Sequence, residues 1–416
     1  MDSEGVRPSL SEGGVGEGAI LSRGHREPSE AWLVVWATFV CLAVIFGVAY
    51  SFAAFFRSFA TEFAVDRADV SLVFGLSGLL YFLLGAPAGM LADRFGPRLV
   101  CTAGMLCIAA GLLASSVAPS MPWIYAAWGA GLGVGIGLAY APSIASVPPW
   151  FVERRAFAAG IASTGIGVGT LALPLVATAA IDAVGWRHAL QALAAAVVVA
   201  GCGSTLLLRR APVAAAAGTN AAGTTLREAL RGRRFWWMYV ACVFAAPAMF
   251  IPFAHVSAAA RDLGIGDARA VGLVGLIGVG SIVGRFAIGG LADRLGRIAS
   301  IALLEASLGL CYVLWLVAGG YVALAAFSLW LGLSYGGIVS LMPAICMDLF
   351  GARAVSSILG TLYSGAAFGN LLGPVIAGAV FDRTGSYVPV VWACLILAML
   401  SALASAQLLR DRGTKY

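Results

Sequence analysis

The sequence predicts an all-α membrane protein with twelve transmembrane helices in two six-helix repeats, and three observations carry this prediction. Of the 416 residues, 61% are hydrophobic and only 11% are charged, whereas soluble domains carry about a quarter charged residues. Apolar stretches long enough to cross a bilayer, which takes about 20 helical residues, recur along almost the whole chain. A set of spaced residues also recurs at a constant offset of 200 positions.

The twelve predicted spans follow one another with short connections. Residues 1–30 are rich in Gly, Ser and Glu and predict a disordered N-terminal tail. Between two bundles at 31–208 and 235–409, residues 209–234 predict a polar, basic linker, and 410–416 form a short C-terminal tail. The spans lie approximately at 32–56, 70–92, 99–117, 121–147, 156–181, 188–208, 235–259, 269–292, 298–318, 320–346, 354–381 and 387–409.

Basic residues lie mostly on one side of these spans. With the N-terminus on the cytoplasmic side, 19 of the 26 Lys and Arg residues fall in cytoplasmic segments, 6 fall in outer loops, and Arg285 lies within a span. The positive-inside rule therefore predicts that both tails and the linker are cytoplasmic. Topology accounts for the net charge of +6, and we expect no nucleic-acid partner.

The offset of 200 relates two halves of the chain. Gly89-x3-Asp93-Arg94-x-Gly96 returns as Gly289-x3-Asp293-Arg294-x-Gly296. Two six-helix repeats that hold a substrate between them at mid-membrane are the architecture of alternating-access transporters. The fifth and eleventh spans and the loops after them share further pairs, namely Gly160/Gly360, Gly165/Gly365, Gly169/Gly369, Pro174/Pro374, Asp182/Asp382 and Gly185/Gly385.

Residue types that bind metals or cofactors form no such pattern. All eight cysteines lie in predicted spans without CxxC spacing, which indicates small packing residues. The glycine run at 129–137 follows no strand and has no acidic residue about 20 positions on, so it does not predict a nucleotide site. No Ser/His/Asp arrangement indicates an enzyme. We therefore expect no cofactor, no metal and no catalytic residue.

Arg285 is a basic residue deep inside a predicted span. An arginine at the centre of a span costs ~2.5–3.5 kcal/mol on insertion scales, and such residues mark substrate or ion pathways. It either binds a ligand or forms a structural ion pair with Glu305, which lies at similar depth in the ninth span. Its guanidinium fork matches a carboxylate. Because the only lysine is Lys415 in the tail, a single fixed charge favours a monocarboxylate over a dianion.

Three further polar residues lie within spans. Asn370, near the middle of the eleventh span, either hydrogen-bonds a substrate hydroxyl or keto group or bridges helices. His255, near the outer end of the seventh span, has the titration range of a proton relay, although a hydrogen-bonded histidine at the edge of the lumen explains it equally. Glu305 is a further candidate for proton coupling.

Two motifs carry a resemblance to a known family. GMLADRFGPR at 89–98 and GGLADRLGR at 289–297 resemble the loop motif between helices 2–3 and 8–9 of the major facilitator superfamily. The resemblance covers residues 31–410 and implies the major facilitator fold. In that family the motif aspartate sits against the N-terminal end of a helix in the opposite half, where a carboxylate on the helix dipole contributes ~0.3–1 kcal/mol.

The resemblance implies a gating role for the motif residues. Asp93 would dock near the start of the eleventh span and Asp293 near the start of the fifth. Arg154, Arg155 and Arg353 stand close by as partners, and the contacts would break and reform as the halves rock. The alternative is that these residues only anchor tight cytoplasmic turns.

Other segments resemble the monocarboxylate transporter branch of that superfamily, which includes bacterial lactate transporters and oxalate–formate antiporters. The resemblance implies that Arg285 binds a substrate carboxylate, with Tyr140 and Tyr335 lining the site; Tyr50 of the first span is a further candidate. The alternative for each tyrosine is packing or an interfacial position. The segments are GVAYSFAAFF (47–56), GVGIGLAYAP (133–142) and IPFAHVSAAARDLGI (251–265).

The sequence departs from these relatives at positions that matter for coupling. The first span has no lysine, the position one turn before Arg285 is Ser281 rather than an aspartate, and TLYSGAAFGN (361–370) has no lysine. The proton-coupling residues of animal relatives therefore have no direct counterparts, and oxalate exchange loses support.

The sequence thus predicts a monomeric secondary transporter of lactate- or pyruvate-like monocarboxylates in a bacterial cytoplasmic membrane. Proton symport is expected. The rivals are an exchanger or efflux carrier of a larger organic anion and, more distantly, a carboxylate sensor that moves nothing.

Overall fold

A computed structural model describes residues 29–147, 150–151, 155–209, 223–351 and 355–410. Within these ranges the side chains of residues 29, 93, 155–157, 288–291, 293–294 and 355–357 are not described. The described residues form no β-strand, and one isolated bridge pairs Gly223 with Gly351. The predicted all-helical fold class is confirmed.

The first six crossings are built from seven α-helices and two π-helical segments. A π-helical segment at Tyr125–Leu132 joins α4 to α5 within the fourth crossing, and another at Val197–Cys202 joins α6 to α7 within the sixth. The helices are α1 (Ser29–Phe63), α2 (Arg67–Phe95), α3 (Pro97–Ser116), α4 (Met121–Ile124), α5 (Gly133–Ala145), α6 (Arg155–Ala196) and α7 (Gly203–Leu206).

The last six crossings follow a short connecting helix, α8, which begins with a capping box between Thr225 and Glu228. Thr224 donates its backbone N–H to the carbonyl of Phe350 at 2.8 Å, which fixes the end of the connection to the tenth crossing. The helices are α8 (Leu226–Arg231), α9 (Arg233–Asp262), α10 (Asp267–Leu295), α11 (Arg297–Leu316), α12 (Tyr321–Phe350), α13 (Val355–Thr384) and α14 (Val388–Arg410).

Eleven helical stretches of the described chain are long and apolar enough to cross a membrane. One of them, Ala158–Leu206, has 49 residues, and at 1.5 Å per residue it would be more than twice as long as a ~30 Å hydrocarbon core. It is broken at Gly185, whose φ of 79° and ψ of 159° are not helical. The break separates the fifth crossing from the sixth, so the structure agrees with twelve crossings.

Glycines at the motif loops have a conformational reason. Gly96 joins α2 to α3 with φ of 94°, and Gly296 joins α10 to α11 with φ of 88°. Only glycine adopts such angles at no steric cost. The repeated motif therefore encodes the same one-residue turn in both halves.

Repeated glycines also make equivalent helix contacts. A Cβ atom on Gly169 would collide with the carbonyl of Ala43, so the fifth crossing packs backbone to backbone against α1. A Cβ atom on Gly369 would collide with the Cβ atom of Ala246, so the eleventh crossing also packs closely against α9, here on a small side chain. Small residues allow such close approach in a membrane, where lipid is as apolar as the side chains. The two halves then meet along α2 with α13 and along α6 with α10.

Candidate substrate-binding site

A cavity lies between the two halves. Four helices of the first half (α1, α2, α5, α6) and four of the second (α9, α11, α12, α13) supply its walls. Seven of its sixteen lining side chains are aromatic, and Glu305 is its one charged lining residue within the described chain. The aromatic residues are Phe46, Tyr81, Phe82, Tyr140, Phe250, Tyr335 and Tyr363.

The three tyrosines predicted to bind substrate lie in or beside this cavity. Tyr140 and Tyr335 line it. Tyr50 lines a smaller adjoining cavity, and its hydroxyl lies 3.3 Å from that of Tyr335. Its ring stacks on Phe253 at 3.9 Å between centroids. The structure therefore brings these three phenol groups together at mid-membrane.

Arg285 lies in α10 behind the cavity wall. Its side chain is only 8% exposed, and its guanidinium is within electrostatic reach of the phenol groups of Tyr140 and Tyr335. Nε donates to the hydroxyl of Ser281, one turn earlier, over a long 3.4 Å, and Nη2 is buried without a hydrogen-bond partner. A buried guanidinium with so few hydrogen bonds destabilises the protein until an anion pairs with it.

Glu305 lines the cavity from α11. Its side chain is 1% exposed and Oε2 has no hydrogen-bond partner. The hydroxyl groups of Ser405 and Ser401 lie against its carboxyl group, but Ser401 donates its hydrogen to the carbonyl of Ala241 at 2.9 Å. Among the described side chains no ion pair joins Glu305 to Arg285, so the structural alternative proposed for Arg285 is not formed.

Asn370 lies away from the main cavity, where α13 meets α2. It is fully buried, and neither its amide oxygen nor its amide nitrogen has a hydrogen-bond partner. The amide faces Gly78, at which any Cβ atom would collide with it. The structure does not place it beside Arg285, and a substrate role for it stays a prediction.

His255 is fully hydrogen-bonded at one end of the bundle. We call this the outer end, following the predicted orientation; it carries residues 57–72, 255–272 and 380–388. Nε2 of His255 lies 2.8 Å from the carbonyl of Pro374, which can only accept, so Nε2 carries the proton. Nδ1 then accepts from the hydroxyl of Tyr387 at 2.9 Å, and this hydroxyl accepts from Arg67 at 2.8 Å. These groups therefore form a chain of hydrogen bonds with fixed directions: Arg67 donates to Tyr387, Tyr387 donates to His255, and His255 donates to the Pro374 carbonyl.

The outer ends of the two halves are joined by ion pairs and by a helix cap. Arg67 at the start of α2 binds both carboxylate oxygens of Asp262 in α9, at 2.6 and 2.9 Å. Asp382 at the end of α13 accepts from the backbone N–H groups of Arg67 and Ala68, at 3.2 and 3.0 Å. On the other side of the bundle, Arg57 of α1 pairs with Asp267 of α10 at 2.9 Å.

Much of the predicted gating motif lies outside the described residues. This applies to Arg154 and Arg353 and to the side chains of Asp93, Arg155, Asp293 and Arg294, as well as to Gly289. Of the remainder, Arg94 is exposed and stacks over the ring of Phe95 at 5.1 Å, and the Cα of Gly89 faces open space. The helices that carry these motifs pair as the resemblance implies, α2 with α13 and α10 with α6.

Sequence reasoning did not single out Tyr81, Tyr363 and Cys242 as lining residues or Asp382 as a cap. The aromatic residues carry no signal, because apolar side chains cover both the lipid-facing and the lumen-facing sides of a membrane helix. The sequence did contain a signal for Asp382. It recurs with Asp182 at the offset of 200, at the outer end of the eleventh crossing.

A comparison with known families matches the profile of the Major Facilitator Superfamily to residues 38–361. The chain belongs to this superfamily, and it is accordingly a multi-pass membrane transporter and not an enzyme. The resemblance drawn from the two loop motifs is confirmed.

Curated relatives and a solved structure agree with this placement. The chain is 31% identical over 373 residues to a Bos taurus protein named monocarboxylate transporter 13, covering 88% of this chain and 87% of the relative. It is 29% identical over 413 residues to monocarboxylate transporter 12-B of Danio rerio, covering 91% and 86%. A bacterial homologue of the human lysosomal transporter Spinster, solved in an inward-facing and unoccupied conformation, superposes with a TM-score of 0.71 at 16% identity, over 92% of this chain and 98% of that one. This last likeness concerns the fold alone.

Proposed function

We propose that this protein moves small monocarboxylates, such as lactate or pyruvate, across a cytoplasmic membrane by alternating access, with proton symport. One observation carries the proposal: Arg285 is buried within electrostatic reach of two tyrosines of the cavity, with a guanidinium nitrogen unpartnered. A carboxylate bound bidentately would satisfy that guanidinium. The relatives named monocarboxylate transporters support the same substrate class.

The proposed orientation places both termini and the 209–234 linker in the cytoplasm. The excess of basic residues in those segments supports it. The two bundles, 31–208 and 235–409, act as the moving bodies of a monomer. The resemblance to bacterial lactate transporters favours the bacterial cytoplasmic membrane.

In the proposed cycle the anion enters the cavity and pairs with Arg285. Tyr140 and Tyr335 offer hydroxyl donors to the same carboxylate, and Tyr50 reaches it through Tyr335. Neutralising the buried charge removes the cost of closing the protein around it. A lysine at this position would keep the charge but lose the planar fork.

The proton site is better assigned to Glu305 than to His255. Glu305 lines the cavity, and its buried Oε2 atom lacks a hydrogen-bond partner. Both ring nitrogens of His255 are already engaged at the outer end. A proton carrier has to exchange with water or substrate, which a lumen-facing carboxyl group does more readily than a fully bonded imidazole.

Access is proposed to switch by exchange of contacts at the two ends. Asp93 and Asp293 would dock on helix starts at the inner end, as the family resemblance implies. Asp382 on the start of α2 is a contact of the same kind at the outer end, and this supports a carboxylate on a helix dipole as the locking device.

A second candidate is exchange or efflux of a larger organic anion. The cavity walls favour it, because seven of the sixteen lining side chains are aromatic and sites for larger organic ligands are lined mainly by apolar and aromatic side chains. Such a carrier would show counterflow of the anion that does not depend on a pH gradient.

The deciding measurement is uptake of radiolabelled lactate and pyruvate into proteoliposomes with the outside made acidic. We expect uptake by the wild type to follow the pH gradient. In Arg285→Lys we expect kcat/KM to fall at least about tenfold, equivalent to ~1.4 kcal/mol, because the bidentate contact is lost. Arg383→Lys, an exposed arginine at the end of α13, is the matched control and should leave uptake unchanged.

Three other results would redirect the proposal. Uptake that survives in Arg285→Lys would make this arginine structural. Uptake without a response to pH would remove proton symport. Failure of the wild type to take up either acid would leave the larger-anion carrier as the better candidate.

A further inference from the structure

Glu305 gives the cavity a second, opposite charge. It is the one charged side chain among the described residues that line the cavity, and no ion pair neutralises it. Its Oε2 atom is buried without a partner. Taking a carboxylate out of water without a counter-charge is costly, so such a group is normally matched by a cation or a proton.

The walls around Glu305 are suited to an organic cation. Seven aromatic rings line the same space, four of them from tyrosine. The faces of aromatic rings attract ammonium and guanidinium groups, and aromatic cages are the usual way in which proteins hold them. Two methionines, Met249 and Met342, complete the wall with polarisable sulfur. The proton proposed above would also neutralise Glu305 but would make no use of these rings, so a proton and an organic cation are alternative partners for this carboxyl group.

Arg285 and Glu305 lie at similar depth but remain separate. Arg285 is 10 residues before the inner end of α10, and Glu305 is 8 residues after the start of α11, or about 15 and 12 Å of helix rise. Opposite charges at matched depth would form an ion pair if no ligand were meant to come between them. Instead, each has an unpartnered atom.

We propose that the cavity selects zwitterions: a carboxylate binds at Arg285, while an ammonium or guanidinium group of the same molecule lies among the aromatic rings facing Glu305. The carboxylate half of this proposal rests on the proposed function, and the cationic half rests on Glu305 and the aromatic walls. A molecule with both groups satisfies both buried charges at once, which a simple monocarboxylate does not do.

Three probes with the same four-carbon chain test this in the purified full-length protein: butyrate, 4-aminobutyrate and butylamine. The apparent Kd of each is taken from the rise in Tm with ligand concentration. We expect 4-aminobutyrate to bind at least tenfold more tightly than butyrate. In Glu305→Gln this ratio should fall to between one and two, whereas Glu62→Gln, the same change at the outer end, should keep it.

Each of the other results overturns the proposal, in a different way. If butyrate binds as tightly as 4-aminobutyrate, the cationic half fails and the carboxylate transporter stands. If butylamine binds as tightly as 4-aminobutyrate, the carboxylate adds nothing, and the proposed function fails as well. If no probe stabilises the wild type, both proposals fail. Should Glu305→Gln not fold, Glu305→Asp replaces it, and the wild-type ratios still decide.

Discussion

At the scale of single residues, four of the seven buried side-chain N and O atoms that lack partners among the described residues lie in or around the contact between the two halves. They include Arg285 Nη2, Glu305 Oε2 and both polar atoms of the Asn370 amide. Most buried polar groups in proteins have partners, and each exception calls for an explanation. For the two charged residues a ligand supplies one. For Asn370, which lies between α2 and α13, we expect a contact that is made in only part of the transport cycle.

The Asn370 amide should therefore lower stability while it supports transport. We expect Asn370→Leu, a change of similar volume, to raise the Tm, because an unpaired buried polar group costs about 1–3 kcal/mol. The same variant should slow uptake. Thr170→Val is the control at the repeat-related position, since the Thr170 hydroxyl already donates to the Ile166 carbonyl at 2.7 Å, and it should give no gain. A lower Tm for Asn370→Leu would mean that the amide has a structural partner such as a bound water.

Individual residues could be predicted from the sequence only where their chemistry conflicts with their surroundings. Arg285 stands out because an arginine inside an apolar span needs a reason, and its guanidinium is within electrostatic reach of Tyr140 and Tyr335. Glu305 stands out for the same reason, but its position in the span does not tell whether the side chain points to the cavity or away from it. Tyr81 and Tyr363 could not be found, because nothing in their neighbours distinguishes the lumen from lipid.

At the scale of elements, the twelve spans could be predicted because length and hydropathy are fixed by the bilayer. The ends in the structure extend a few residues beyond the predicted ranges, as for α1 at Ser29–Phe63 against 32–56. Hydropathy reports where the hydrocarbon core begins, whereas backbone hydrogen bonds continue into the interface. The π-helical segment at Tyr125–Leu132 was not predicted, since it depends on local packing rather than on composition.

Glycines of the fifth crossing should differ sharply in their tolerance of a methyl group. Gly169→Ala should lower the Tm, because its Cβ would collide with the Ala43 carbonyl and overpacking costs about 1–3 kcal/mol. Gly160→Ala on the same helix has nothing within 4 Å of the new Cβ and should be neutral or gain about 0.5–1 kcal/mol from helix propensity. Thermal unfolding in one detergent compares them. Equal Tm values would show that α1 and α6 can move apart to admit the methyl group without loss of stability.

At the scale of the whole molecule, the outer end is held by contacts that differ between the repeats. Asp382 caps the start of α2, while its repeat partner Asp182 is exposed and has no hydrogen bond or ion pair among the described residues. At the start of α10 the charge is instead supplied by Asp267, which pairs with Arg57 and Arg261. The start of α2 is thus held by a helix cap and the Arg67–Asp262 ion pair, whereas the start of α10 is held by an ionic triad. This asymmetry could not be predicted from a repeat that treats both aspartates alike.

This asymmetry predicts that only one of the two aspartates controls opening of the outer end. Asp382→Asn keeps the shape of the side chain but removes the negative charge that faces the N-terminal end of the α2 dipole. A hydrogen bond to a charged group contributes about 1.5–3 kcal/mol, so the outer-open population should rise about tenfold, with ~1.4 kcal/mol per factor of ten. Asp182→Asn should change nothing.

The reporter for this test is Ser257→Cys, which lies in α9 where it contacts the Ala53 carbonyl of α1 and is fully buried. Its labelling by a membrane-impermeant thiol reagent from the outer side should accelerate about tenfold with Asp382→Asn and stay at the parent rate with Asp182→Asn. The protein without Ser257→Cys gives the background from the native cysteines. Equal acceleration by both variants would mean that the two halves open symmetrically and that the cap is incidental. No acceleration by either would place the outer lock in the two ion pairs that join the halves among the described residues at this end, Arg67–Asp262 and Arg57–Asp267.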